Sequence, residues 1–257
     1  MAISANSIIH YTTEFDTLKT IISELGFKMC YCLEKITTRG GKSYSFGISM
    51  TSFCDIPLTD YKKHFKRQSS NNLGYYGDYG IGLTKEWARK KGLNPVLYID
   101  YNSFVGTALR KTIESYVKGT IIPVVDVNNF QKDDFALFSC YAKNYRGDLI
   151  RAGKLVKSSY CYYDEREWRY VPTINDIGNN KVILDGETYE KDKSKFNSLI
   201  NSYRLPFELS DISYIIVKER SEILPLTLEL KTKVSNEEEL HFLISKIITS
   251  EQIIDDF

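Results

Sequence analysis

Apolar residues recur along the chain with two different periods, and the change from one to the other marks the predicted elements. Ser7–Thr12 (Ser-Ile-Ile-His-Tyr-Thr) reads as a short first strand. Leu18, Ile21, Ile22 and Leu25 then return at helical spacing, with Thr12 or Thr13 as cap and Gly26 as stop. Phe27–Leu33 is short and mixed, and Arg39-Gly-Gly-Lys42 signals a loop. Tyr44–Phe53 alternates as a strand does, and Cys54-Asp-Ile-Pro-Leu58 turns it. Thr84 caps a predicted helix over Lys85–Lys91, closed by Gly92. Pro95–Tyr101 has the character of a buried strand. Ser103 caps a helix in which Leu109, Ile113 and Val117 share a face, and Phe130–Tyr145 reads as a further helix.

Tyr160–Pro172 predicts a strand, because its aromatic residues and valine favour the pleat and Pro172 stops it. Beyond it come a turn-rich loop (Asn175–Asn180), a short strand (Lys181–Leu184) and a charged helix across Glu190–Tyr203. Ile212–Lys218 is a strand. Ser235 and Glu238 have the spacing of a capping box, and the helix after it carries Leu240, Leu243, Ile244, Ile247 and Ile248. No repeat, low-complexity tract or linker divides the chain. The expectation is one α+β domain over 1–257, a mixed, mostly antiparallel sheet with flanking helices, the C-terminal helix 235–249 packed on it.

The 257 residues are 42% hydrophobic and 26% charged, which permits a substantial core. A net charge of +1 gives no overall field toward nucleic acid or anionic lipid. A basic loop at Lys62–Arg67 leaves a small nucleic-acid contact open. The five cysteines are odd in number and scattered, so they predict reduced thiols and no zinc knuckle. No basic-then-apolar leader and no apolar run of membrane-spanning length occurs, so a cytoplasmic protein of bacterial style is expected. The glycines of Gly77–Gly82 fit neither a P-loop nor a dinucleotide fingerprint and are expected at a strand end.

Candidate chemistry concentrates in Tyr160–Pro172. Strand alternation puts Glu165, Glu167 and Arg169 on one face, and Arg166, Trp168 and Tyr170 on the other. Two close carboxylates raise each other's proton affinity and an arginine lowers it, an arrangement suited to sugar hydroxyls or a cationic transition state. The alternative is an edge strand whose charges pair with a neighbouring strand. His10-Tyr11-Thr12 at the end of the first strand and Thr51-Ser52 on a later one complete the candidates. Trp87 and Trp168 either stack on a flat ligand or belong to the core.

The order His10, Thr51-Ser52, Glu165-Arg-Glu167 resembles the ADP-ribosyltransferase pattern. That resemblance implies an NAD site. His10, Thr51 and Ser52 would hold the cofactor, with Tyr11, Thr12 and Arg169 beside them. Glu167 would be the catalytic acid, with Glu165 orienting the acceptor. An ionised carboxylate near the ribose would stabilise the oxocarbenium-like cation of nicotinamide cleavage. The reading requires His10, Ser52 and Glu167 to converge on one cleft.

Longer stretches carry a second resemblance. Ile9-His-Tyr-Thr, Met50–Leu58, Gly77–Trp87, Asn94–Ile99 and Asp164–Pro172 resemble the abortive phage-resistance family AbiGi. It implies an antiphage role in bacteria and a place, often labelled the antitoxin half, in a two-gene system. The partner would be the cognate protein of that system or a phage protein, and the chain would then act as a non-catalytic antitoxin or sensor.

Overall fold

Twelve residues, Ser43–Cys54, form one long strand on which much of the sheet is assembled. The computed structural model describes residues 5–60, 76–120, 132–151 and 154–256. In chain order the elements are β1 (Ser7–Thr12), α1 (Phe15–Glu24), β2 (Gly26–Lys28), β3 (Cys30–Thr37), β4 (Ser43–Cys54), β5 (Tyr79–Thr84), α2 (Lys85–Lys90), β6 (Asn94–Pro95), β7 (Leu97–Ile99) and α3 (Phe104–Lys118). There follow α4 (Lys132–Cys140), β8 (Ala142–Asn144), β9 (Arg146–Arg151), β10 (Lys154–Cys161), β11 (Glu167–Tyr170), β12 (Ile183–Asp185), α5 (Gly186–Lys191), α6 (Lys193–Ile200), β13 (Arg204–Pro206), β14 (Ile212–Val217), α7 (Ile223–Lys231), α8 (Glu237–Ile244), β15 (Ile247–Thr249) and α9 (Ser250–Asp256).

The main sheet runs β15-β14-β5-β1-β4-β11-β6, with β3 and β12 also paired to β4. Its pairings are antiparallel except β14 with β15. The fold is therefore α+β with a mixed, mostly antiparallel sheet, as the pattern of elements predicted. The hairpin of β9 and β10 and the parallel pair of β7 and β8 stand apart from that sheet.

Register assigns the side chains to faces, because residues paired across an antiparallel ladder point the same way. Glu167 pairs with Cys54, Arg169 with Ser52, and Ile9 with Cys54. These side chains share one face with Met50, Cys32 and Glu34. The intervening residues, His10, Thr51, Phe53, Trp168 and Tyr170, take the opposite face. There a large core packs Leu18 and Ile22 of α1, Trp87 of α2 and Leu226 of α7 against Phe27, Phe53, Ile81 and Ile215. On the first face, Leu109 and Ile113 of α3 cover Ile36, Phe46, Ile48 and Met50. A smaller cluster of Ile9, Cys54, Ile56, Ile216 and Ile253 lies further along it.

Several element boundaries differ from expectation for local reasons. Helix α1 begins after Glu14, without a side-chain cap, and Leu25 rather than Gly26 takes the left-handed position (φ 46°). Thr84 and Ser103 cap α2 and α3 as predicted, accepting from Trp87 N (3.2 Å) and Gly106 N (3.1 Å). Pro95–Tyr101 divides into β6 and β7, which belong to different sheets. Helix α4 ends at Cys140, and Ala142–Asn144 leave the predicted helix to pair with β7. Asp192 splits the charged helix by accepting from Lys195 N, which caps α6. Pro225 sits in the first turn of α7, a helix the pattern missed. The predicted Ser235–Glu238 box is replaced by a simple cap at Asn236, which accepts from Glu239 N, while Glu239 accepts from Ser235 N just before the cap. Ile247 and Ile248 are strand, not helix, since β15 extends the sheet beside β14. Gly80 and Gly82 lie inside β5, not at its end; a Cβ on Gly82 would stand 3.0 Å from the Tyr214 ring. The basic loop Lys62–Arg67 lies outside the described residues.

Candidate functional site

Tyr160–Pro172 is not one strand. After β10, Tyr162–Glu165 forms a 3-10 turn and Arg166 is left-handed (φ 44°), so the alternation restarts at Glu167. Asp55 N donates to Arg166 O at 3.0 Å, anchoring that turn to the end of β4. Glu165 and Glu167 meet nonetheless, because one cation binds both. Lys143 of β8 reaches Glu165 Oε2 at 2.5 Å and also Glu167 Oε2.

The other carboxylate oxygen of Glu167 accepts from Arg169 Nε at 2.6 Å. Arg169 is fully buried and its remaining nitrogens are also occupied. Nη1 donates to Cys140 O (2.7 Å) and Nη2 to Glu34 Oε1 (2.5 Å). The result is a buried chain, Glu34–Arg169–Glu167–Lys143–Glu165, with three carboxylates against two cations. Burial alone pushes the Glu167 carboxyl up, but the charges of Arg169 and Lys143 outweigh it and hold the group at about 2. Burial likewise works to lower Lys143, and the charges of Glu167 and Glu165 overrule it and raise it. Tyr98 fixes the backbone of β11, its hydroxyl accepting from Glu167 N at 2.9 Å.

This chain borders a cavity of about 820 Å³. Its lining includes Glu34, Ser52, Cys54, Lys143, Glu165 and Glu167, with Tyr101 and Tyr162. Two buried oxygens here lack a hydrogen-bond partner, Glu165 Oε1 and the Tyr101 hydroxyl. Burial pushes the Tyr101 hydroxyl well up, so it remains a proton donor.

The predicted candidates separate across the sheet. Ser52, Glu165 and Glu167 border the cavity, and Arg169 lies behind them. His10 and Thr51 point to the other face, so the expected convergence of His10 with Glu167 does not occur. His10 packs edge-on to Phe27 (5.0 Å) and Phe53 (5.5 Å). Its Nδ1–H donates to Ser52 O at 2.8 Å, because a carbonyl can only accept. Burial lowers its pKa, partly offset by that hydrogen bond, which keeps the ring neutral. Thr51 Oγ1 contacts Met29 Sδ (3.6 Å) and Lys28 O (3.4 Å). Tyr11 packs with the cluster around Ile9 and Ile216, and Thr12 ends β1. Trp87 belongs to the core, its Nε1 donating to Pro206 O at 3.2 Å.

Sequence reasoning missed Lys143, Glu34 and Tyr101. Lys143 sat inside a stretch read as helix, and no local signal marked it. A global one existed: carboxylates on a strand of buried character require cations from elsewhere. Among the described residues, no group of His, Cys, Asp and Glu is arranged to hold a metal ion, and no helix is long and apolar enough to cross a membrane.

Residues 26–218 match a family model described as "Putative abortive phage resistance protein AbiGi, antitoxin". The abortive phage resistance protein AbiGi of Lactococcus lactis subsp. cremoris is 27% identical over 239 residues, covering 82% of this chain and 89% of that protein. No solved structure matches the chain.

Proposed function

This chain belongs to the AbiGi abortive phage-resistance family, and from that premise we propose that it acts as the antitoxin half of a two-gene defence system, restraining a cognate protein by direct binding. One observation supports binding over NAD chemistry. Glu167, the residue at the catalytic-acid position of the transferase pattern, has both carboxylate oxygens engaged by Arg169 and Lys143. His10, the partner that pattern needs, faces the far side of the sheet. A carboxylate committed to two buried cations has little remaining field for a developing oxocarbenium ion. The test is co-expression of the tagged chain with the product of its neighbouring gene. A complex that survives gel filtration, and relief of that product's toxicity, are expected. Toxicity unrelieved and no complex at micromolar concentration would defeat the proposal.

A second reading keeps NAD as ligand and assigns an ADP-ribosyltransferase-like or NAD-hydrolysing activity. It draws on Ser52, Glu165 and Glu167 bordering one cavity of about 820 Å³, a volume within the usual range for small-ligand sites. The purified chain incubated with NAD decides between them. Release of nicotinamide above the buffer rate favours the second reading, and none is expected under the first.

A further inference from the structure

We propose that the cavity beside β11 binds a guanidinium group, held by the unpartnered oxygen of Glu165. Glu165 is 4% exposed; its Oε2 is engaged by Lys143 at 2.5 Å, and the Tyr160 hydroxyl is a further neighbour of the carboxylate. Glu165 lines the cavity, and its Oε1, shielded from solvent, has no donor. Such an oxygen lacks a bond that a ligand can complete, and leaving it unmade is costly. The charged chain around it has three carboxylates and two cations, so its formal charge is −1 with all groups ionised. An acceptor on a negatively charged network calls for a donor that carries positive charge.

The surroundings narrow the cation. Tyr162 lines the cavity and already carries Lys143 Nζ 5.3 Å from its ring centre, and Tyr76 lines it as well. Aromatic faces beside a carboxylate suit a flat, weakly hydrated guanidinium better than a compact ammonium ion. At the Glu34 end, Tyr101 is 2% exposed and its hydroxyl has no partner, so it can donate to an acceptor on the same ligand. An arginine side chain within a peptide has both features, since a backbone carbonyl accompanies its guanidinium. The group can belong to an arginine of the partner protein or to a free small molecule. The partner arm rests on the binding role proposed above; the small-molecule arm does not.

Calorimetric titration with L-arginine tests the site on the unaltered protein, with citrulline as the uncharged isostere. Saturable binding of arginine is expected, with citrulline at least about tenfold weaker. Glu165→Gln, which keeps an oxygen for Lys143, is expected to weaken arginine by about the same factor. In the second arm the same variant is co-purified with the neighbouring gene product. Weakening of that complex places the guanidinium on the partner, and an unaffected complex with arginine still bound assigns a free ligand. Arginine binding without any complex leaves this inference standing and removes the antitoxin reading. Equal affinity for arginine and citrulline overturns the inference. So does the absence of arginine binding together with a complex indifferent to Glu165→Gln.

Discussion

Replacing Glu167 with glutamine keeps the side chain's shape and removes one negative charge from between two buried cations. In the native chain Oε1 accepts from Arg169 Nε at 2.6 Å and Oε2 from Lys143. The amide retains one acceptor, so its NH2 group must face either the guanidinium or the ammonium, donor against donor. Removing one partner of a buried ion pair costs about 3–5 kcal/mol. The carboxyl's titration gives a second measure. A fall from 4.5 to about 2 corresponds to about 3 kcal/mol of stability. For a chain of this size that loss lowers the melting temperature by about 10 °C. The sign of its pH dependence is set by the depressed native value. The stabilisation is complete above the ordinary carboxyl range and disappears as pH falls through about 2. Thermal or urea unfolding, followed by tryptophan fluorescence, measures the gap between Glu167→Gln and the natural chain. The gap should be full at pH 7 and shrink by about half by pH 3. A variant melting within 2 °C of the natural chain at pH 7, or a gap unchanged down to pH 3, would refute the claim that this carboxylate holds the network together.

Arg169→Lys should cost about 3 kcal/mol in urea unfolding, because one ammonium cannot replace three nitrogens that engage Glu167, Cys140 O and Glu34. His10 has a native pKa below its ordinary value, so its contribution to stability is present above about pH 6.5 and declines as the solution is acidified below that. His10→Phe should flatten the change of the urea midpoint between pH 7 and pH 5; an unchanged slope would exclude His10 as its source. Gly106→Ala would set a Cβ 2.5 Å from the Tyr101 backbone, so a loss of about 1–3 kcal/mol is expected in thermal melts. Thr84→Ala removes the cap of α2 and should cost about 1 kcal/mol, with helix content otherwise kept in circular dichroism.

Elements whose signals are local were legible in the sequence. Thr84 and Ser103 cap helices because a hydroxyl two or three residues before a free N–H binds it in any context. Ser7–Thr12 and Ser43–Cys54 are strands because β-branched and aromatic residues favour the pleat. Where the reading failed, contacts far along the chain had overridden the local pattern. Ile247 and Ile248 continued a helical spacing, yet the open edge of β14 was a better partner for two β-branched residues. Ala142–Asn144 likewise left a helical stretch to pair with β7.

From the residues alone came the family resemblance, the α+β class, and the importance of Glu165 and Glu167 as carboxylates in a strand-forming context. Tertiary structure decided which neighbours they have. The left-handed Arg166 resets the alternation, register turns His10 away from Glu167, and Lys143, Glu34 and Tyr101 arrive from separate elements. The physical reason is the range of the interactions. Propensity and capping act over a few residues, whereas a buried charge must be neutralised by whatever cation the fold brings within about 3 Å, at any distance along the chain.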